Sequence, residues 1–357
     1  MPDRQLGWKQ ALVDYVSVVN EAGLLGDAKA FRRVPDPYHR MRLVRRAEAL
    51  EERAALVRFK PIRSEMKARL LRYEAKETEV AADLQLHTVR SYEQDRFPWL
   101  EERVEKERIR LIKSGTRWRV DGIEPIATEQ HPLPMANANR ELVDEYGWPS
   151  RPVLPSIPLI KIDAEVPARS KVYAGPGTSG SWEDGCERSM PYRREEAVAY
   201  AERWWDRPNP AFENFAVNCT NYVSQCLFAG GAPMNYTGRR ETGWWYKGRS
   251  GGQELWSFSW AVANSLQHYL SAPRAFGLRA EAVDSPRQLQ LGDVICYDWD
   301  GNGGYQHNTI VTAFTPDGMP LVNANTVSSR RRYWDYRDSY AWTEQTRYRF
   351  FHLIDEF

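Results

Sequence analysis

In the first third of the chain, hydrophobic residues recur first at a helical spacing and then at the spacing of a strand. Near the N-terminus, apolar residues recur every three or four positions, which is typical of a helix with one buried face. They are Trp8, Leu12, Tyr15 and Val19. A second helix is predicted over residues 41–56.

Beyond Pro61 the period shortens to two. Apolar and charged residues alternate around Leu70, Leu86, Leu111 and Val120. This pattern predicts antiparallel strands with one face in water.

The first 128 residues therefore predict an α+β domain of N-terminal helices plus an antiparallel sheet. Lys113-Ser114-Gly115-Thr116 has the composition of a hairpin turn before the last strand. The element order and the closing Trp118-Arg119-Val120 strand resemble the cone-shaped fold of nuclear transport factor 2-like domains. A generic α+β module without a pocket is the alternative.

Residues 129–189 are rich in proline and glycine and predict a joint. Pro152, Pro155 and Pro158 are spaced by three, as in an extended polyproline stretch. The glycines of residues 175–180 indicate a flexible break. The chain is thus predicted to divide into 1–128, 129–189 and 190–357.

Helical periodicity returns in residues 190–357. A helix is predicted over residues 192–206, followed by another that ends at Gly230-Gly231. Asn218 is a candidate N-cap for this second helix, so Cys219 would occupy its first turn. A further helix is predicted over 259–270, and strands are predicted over 289–299, 307–311 and 320–326.

The composition of the chain argues against several classes of function. The chain has 357 residues, with 49 Lys and Arg against 48 Asp and Glu, a balance that argues against a nucleic-acid partner. No run of about 18 apolar residues is present, so no membrane span is predicted. The first residues show no apolar signal segment, which makes the cytoplasm the default expectation. Four cysteines are too few for a disulfide framework.

Cys219 is the candidate nucleophile. At a helix start, the dipole and the free N–H groups favour the thiolate, and the same N–H groups can bind an oxyanion. Cys186 and Cys296 are expected to be buried packing residues. Cys226 lies two helical turns deeper than Cys219 and is expected in the core.

His307 is the candidate base. It follows a glycine-rich turn and opens a strand, where two hydrogen-bonded neighbours would hold it. Asn323 and Asn325 share one face of the next strand, and either amide could orient the imidazole. Asn323 is preferred. His352 is expected to pack in a terminal strand.

Several ordered stretches carry a family resemblance. They include Asn218-Cys219-Thr220-Asn221-Tyr222-Val223-Ser224-Gln225, Leu291-Gly292-Asp293-Val294-Ile295 and His307-Asn308-Thr309-Ile310-Val311. Residues 190–357 resemble the bacterial putative amidase domain family, a branch of the papain-like α+β fold related to the CHAP and NlpC-type peptidases.

The resemblance implies a Cys/His hydrolase of amide bonds, with Cys219 as nucleophile and His307 as base. Its substrate would be a peptide or a cell-wall stem peptide, cleaved through an acyl-enzyme. The Cys219 N–H and Asn218 or its neighbour would hold the oxyanion. Asn218 stands where the family usually has Asp, and Asn325 stands where His is expected.

An aromatic cluster lies between nucleophile and base in the sequence. Trp244, Trp245, Tyr246 and Trp260 are predicted to line a substrate groove, with packing of a large loop as the alternative. No cofactor and no metal are predicted, because the cysteine spacings fit no zinc site. A catalytically inert binding protein and an acyltransferase or transpeptidase with the same acyl-enzyme are the alternative functions.

Overall fold

The computed structural model describes residues 7–25, 30–129, 171–173, 190–250 and 253–357. The chain forms two compact units. Unit 1 comprises Met1–Thr128, Thr315–Asp317 and Val327–Trp342, and unit 2 comprises Glu129–Phe314, Gly318–Thr326 and Thr343–Phe357. Most of the predicted joint, including Cys186, lies outside the described residues. The three-part division of the chain stays a prediction.

Unit 1 is α+β, with two helices and an antiparallel sheet. Its elements are α1 (Gly7–Leu25), α2 (Pro37–Val57), β1 (Lys60–Ala75), β2 (Glu79–Gln94), β3 (Phe97–Ser114), β4 (Arg117–Pro125) and the late strand β13 (Ser328–Tyr333). β2 pairs with both β1 and β3, and β4 and β13 pair with β3. The nuclear transport factor 2-like cone stays a prediction.

The predicted helices and strands of unit 1 are confirmed. Trp8, Leu12, Tyr15 and Val19 are all buried in one hydrophobic core with residues from the sheet. The predicted turn joins β3 to β4, with Gly115 at a positive φ of 62° that glycine adopts without strain.

Asp36 determines where α2 begins. Its Oδ1 accepts hydrogen bonds from the backbone N–H groups of Tyr38 (2.8 Å) and His39 (3.1 Å), and Pro37 takes the first helical position. Its Oδ2 accepts from the N–H of Ile123 (2.7 Å), which ties the helix start to β4.

Unit 2 is also α+β. Its helices are α3 (Arg194–Trp204), α4 (Cys219–Ala229), α5 (Phe258–Ala261) and α6 (Ala263–Ser271). Its strands are β5 (Lys171–Tyr173), β6 (Met234–Tyr236), β7 (Tyr246–Ser250), β8 (Gln253–Trp256), β9 (Ala280–Val283), β10 (Val294–Asp298), β11 (His307–Phe314), β12 (Pro320–Ala324) and β14 (Arg347–Leu353). Five of these strands form an antiparallel sheet in the order β12-β11-β10-β14-β9. The papain-like fold stays a prediction.

Helices α3 and α4 pack on each other and on β11. The Tyr222 hydroxyl of α4 donates to the Ala201 carbonyl of α3 at 2.8 Å. The prediction of one helix over residues 259–270 is wrong, because Val262 is extended (φ −114°, ψ 125°) and separates α5 from α6.

Across the described ranges, no helix combines the length and apolar character that a bilayer crossing requires. The described residues also contain no group of three or more His, Cys, Asp or Glu side chains arranged to hold a metal ion.

Candidate active site

Cys219 is the first residue of α4, as its position after Asn218 predicts. Asn218 is the N-cap residue, as predicted, but its side chain makes no capping hydrogen bond. The Asn218 side-chain oxygen accepts from the Asn221 amide (2.8 Å) and from the Phe215 N–H (3.3 Å), and it does not bond a helix N–H. Asn218 therefore holds the preceding loop to the helix.

The open N–H groups at the start of α4 are bound by Thr326. Its hydroxyl oxygen accepts from the N–H groups of Asn218 (2.9 Å) and Cys219 (3.2 Å). Thr326 has a φ of 86°, a conformation that is costly for a β-branched residue. The sequence placed Thr326 at the end of the predicted strand 320–326 and offered no signal for this role, whereas the strand itself ends at Ala324.

The thiol of Cys219 is buried, with 2% of the residue exposed. Burial raises its pKa, and hydrogen bonds from the Asn308 backbone, Thr220 and the Thr326 side chain offset part of that increase. In this arrangement the pKa moves in the opposite direction to the one that the helix start predicted. Desolvation outweighs the donors because ionisation here places a charge in a water-poor site.

His307 opens β11, as predicted, and is fully buried. Its ring is stacked on Trp299 with centroids 5.8 Å apart and lies 5.5 Å from the ring of Tyr297. The next residue, Asn308, contacts the nucleophile's helix, because its side-chain amide donates to the Thr220 hydroxyl at 3.0 Å. The first turn of α4 is therefore tied to Asn308, the second residue of β11.

The two asparagines lie at different levels of the sheet. Asn323 pairs with Ile310, three residues along β11 from His307. Its side-chain oxygen accepts from the Thr312 hydroxyl (2.9 Å), and its amide donates to Glu202 (3.3 Å).

Asn325 lies beside the start of α4. Its side-chain oxygen accepts from the Thr326 N–H (3.1 Å) and, at 3.5 Å, from the amide of Asn218. Its own amide donates to the Trp205 carbonyl at 3.2 Å.

The predicted groove aromatics are mostly interior residues. Trp244, Trp245 and Trp260 are each at most 2% exposed. The indole N–H groups of Trp244 and Trp260 donate to Ser224 and Asn221, so both rings are fastened to α4. This geometry corresponds to the packing alternative.

Tyr246 is half-buried, and its hydroxyl accepts from the Glu213 N–H at 2.9 Å. Glu213, Asn218 and Asn325 line a narrow crevice beside the start of α4, together with Arg207. Tyr246 thereby supports a loop at the edge of the crevice.

Cys226 and Cys296 are buried, and burial raises the pKa of each well above its ordinary value. Their predicted packing role is confirmed. The Nδ1–H of His352 donates to the Asp293 carboxylate at 2.8 Å, and the same carboxylate also accepts from Arg194. This pair fastens α3 to the sheet.

Comparison with known proteins gives a similar protein, a similar solved structure and a family match. Over 169 residues the chain is 53% identical to the uncharacterized protein YhbB of Bacillus subtilis (strain 168), covering 47% of this chain. The chain spans about half the length of that relative, 52%. The intermembrane-space region of the chloroplast protein ARC6 is similar at a TM-score of 0.25 and 12% identity, covering 32% of this chain and 94% of that one. Residues 191–351 match the family described as Putative amidase domain.

Proposed function

We propose that the C-terminal part of the chain is a cysteine-dependent amide hydrolase. The observation that carries the proposal is the junction of α4 and β11. There the side-chain amide of Asn308, the residue that follows His307, donates to the hydroxyl of Thr220, the residue that follows Cys219, at 3.0 Å. The match of residues 191–351 to the Putative amidase domain family supports amide bonds as the substrate class.

In the proposed mechanism, His307 takes the thiol proton as the Cys219 sulfur attacks the amide carbonyl. The raised pKa of Cys219 favours proton transfer during attack over a preformed thiolate. His307 then gives the proton to the leaving amine as the C–N bond breaks. Water attacks the resulting thioester, which releases the acid and restores the thiol.

The oxyanion would be held by the N–H groups of Asn218 and Cys219. Both groups now donate to the Thr326 hydroxyl, so the substrate oxygen must replace that hydroxyl. The described conformation is thus a closed state in this proposal. The strained φ of Thr326 lowers the cost of moving it aside.

Asn325, rather than the preferred Asn323, is the better proposal for the third site residue. In β12 the pairing of Asn323 with Ile310 puts it roughly 10 Å along the strand from the level of His307. Asn325 contacts both Asn218 and Thr326 at the start of α4. It would position the loop that carries the oxyanion donors.

The test is turnover of peptide amides by the full chain. A panel that includes cell-wall stem peptides is incubated with the protein, and released amines and Cys219-linked acyl groups are measured by mass spectrometry after acid quenching. Cys219→Ala should lower turnover by roughly 10⁴-fold or more and abolish the adduct. Cys226→Ala, on the same helix, is the matched control and should retain turnover.

An inert binding protein is the second candidate, favoured by the burial of Cys219. It predicts neither turnover nor an acyl adduct with any panel member, and equal behaviour of the two alanine variants. An acyltransferase or transpeptidase would give the adduct but would need an added amine to turn over. Amine dependence of the released product separates that case from hydrolysis.

A further inference from the structure

Unit 1 contains a cavity of about 230 Å³ between α2 and the inner faces of β2 and β3. Most of its wall is apolar, with contributions from Val19, Phe31, Leu43, Leu50, Met66 and Leu86. The part of the wall formed by β3 is charged instead. Glu101, Arg103, Glu105 and Glu107 alternate along β3 and present four charged side chains to the same space.

Part of this charged wall is already neutralised by its neighbours. Arg46 of α2 forms a bidentate pair with Glu105, at 2.7 and 3.2 Å. Arg103 donates to Asp338 and, at 3.0 Å, to one oxygen of Glu101. These charges are balanced inside the protein and call for no counter-ion from a ligand.

Three buried polar atoms in the wall have no hydrogen-bond partner among the described residues. They are the second carboxylate oxygen of Glu101 and the Nε atoms of Arg90 and Arg103. Glu101 is 2% exposed, and Arg90 stands directly opposite it in the β2–β3 pairing. One acceptor and two donors thus lie at neighbouring positions of a single face.

A buried polar group without a partner costs free energy, so this wall favours a ligand that supplies both a donor and an acceptor. A simple cation would satisfy Glu101 and leave the arginine donors unpaired. A simple anion would do the reverse. A ligand that pairs with all three atoms therefore needs a cationic donor and an anionic acceptor in one head group, which then has no net charge.

We propose that this cavity binds a small zwitterionic α-amino acid with an apolar side chain. The ammonium group donates to Glu101, the carboxylate accepts from Arg90 and Arg103, and the side chain lies against the apolar wall. The cavity is smaller than the roughly 300–1,000 Å³ of drug-sized sites, which agrees with a ligand of this size. The site is independent of the chemistry proposed for Cys219.

The experiment is isothermal titration calorimetry of the full chain with matched probes. L-Phenylalanine and L-leucine carry the complete head group, whereas 2-phenylethylamine lacks the carboxylate and 3-phenylpropionate lacks the amine. At least one amino acid should bind with one site per chain. Both single-charge analogues should bind about tenfold or more weakly, since each leaves either the second Glu101 oxygen or the two arginine Nε donors without a hydrogen-bond partner.

Two variants test the location. Glu101→Gln should weaken amino-acid binding about tenfold while leaving 3-phenylpropionate binding nearly unchanged. Ala54 lines the cavity, and the adjacent Ala55 is exposed on α2. Ala54→Phe should therefore abolish binding, and Ala55→Phe should preserve it.

The proposal is overturned if neither amino acid binds at millimolar concentration. It is also overturned if an analogue binds as tightly as the amino acid, or if Ala54→Phe binds like Ala55→Phe. Circular dichroism checks that each variant is folded. Should Glu101→Gln fail to fold, the pair of alanine substitutions decides the question alone.

Discussion

The carboxyl group of Glu107 should make the stability of unit 1 depend on pH. Glu107 is buried, and desolvation raises its pKa from an ordinary 4.5 to about 7, although the Tyr15 hydroxyl donates to it at 2.7 Å. The native state therefore holds this proton more tightly than the unfolded chain. The contribution of Glu107 to the free energy of unfolding should therefore fall as pH rises from 4.5 through 7.

The size of the effect follows from the shift. A difference of about 2.5 pKa units, at about 1.36 kcal/mol each, gives roughly 3 kcal/mol between pH 4 and pH 8. Glu107→Gln keeps the size of the side chain and an oxygen that can accept from Tyr15, but it cannot ionise. The variant should be more stable than the native chain at pH 8, and this advantage should disappear towards pH 5.

The assay is urea unfolding at several pH values, followed by a short hydrogen-exchange pulse at one fixed pH. Peptides from β3, read by mass spectrometry, then report the unfolding of unit 1 itself. Glu48→Gln, at an exposed position of α2, is the control and should show no such trend. A stability difference between Glu107→Gln and the native chain that stays constant from pH 5 to pH 8 would refute the reasoning.

Four further outcomes are expected. Iodoacetamide should modify Cys219 faster than Cys226, because burial raises the pKa of Cys226 more strongly than that of Cys219. The rate of Cys219 modification should still rise above pH 9, since its own pKa is also raised. Peptide mapping measures both rates. Thr326→Gly should speed Cys219 alkylation, since it removes the hydroxyl that binds the helix start and relieves a φ of 86°; an unchanged rate would contradict the closed state. Asp338→Asn should lower the free energy of unfolding by about 3–5 kcal/mol in urea titrations, because buried arginines lose their counter-charge. Gly292→Ala should also destabilise the chain, since its Cβ would lie 2.7 Å from the Tyr192 hydroxyl, and a melting temperature equal to that of the native chain would contradict this clash.

Periodicity alone predicted much of the local structure. Trp8, Leu12 and Tyr15 recur at helical spacing and do form the buried face of α1. The starts of α4 at Cys219 and of β11 at His307 were also predicted, because capping residues and glycine-rich turns act on their immediate neighbours. The spacing of hydrophobic residues shows which face of a short helix or strand can be buried.

Local periodicity could not predict that the charged residues of the cavity wall in unit 1 are buried. Glu101, Arg103 and Glu107 look like solvent-facing residues in the sequence, yet they are buried. Arg46 of α2 binds Glu105 of the same wall, and Asp338, from a segment far along the chain, binds Arg103. Burial of these charges depends on partners that no local pattern connects.

The same distinction applies at the candidate active site. The sequence by itself determined that Cys219 begins a helix and that His307 begins a strand. Tertiary structure decided that Thr326 binds the helix N–H groups and that the Asn308 side chain donates to Thr220. It also reversed the expected direction of the Cys219 pKa, because desolvation depends on everything packed around the thiol, whereas the helix start depends on a few adjacent residues.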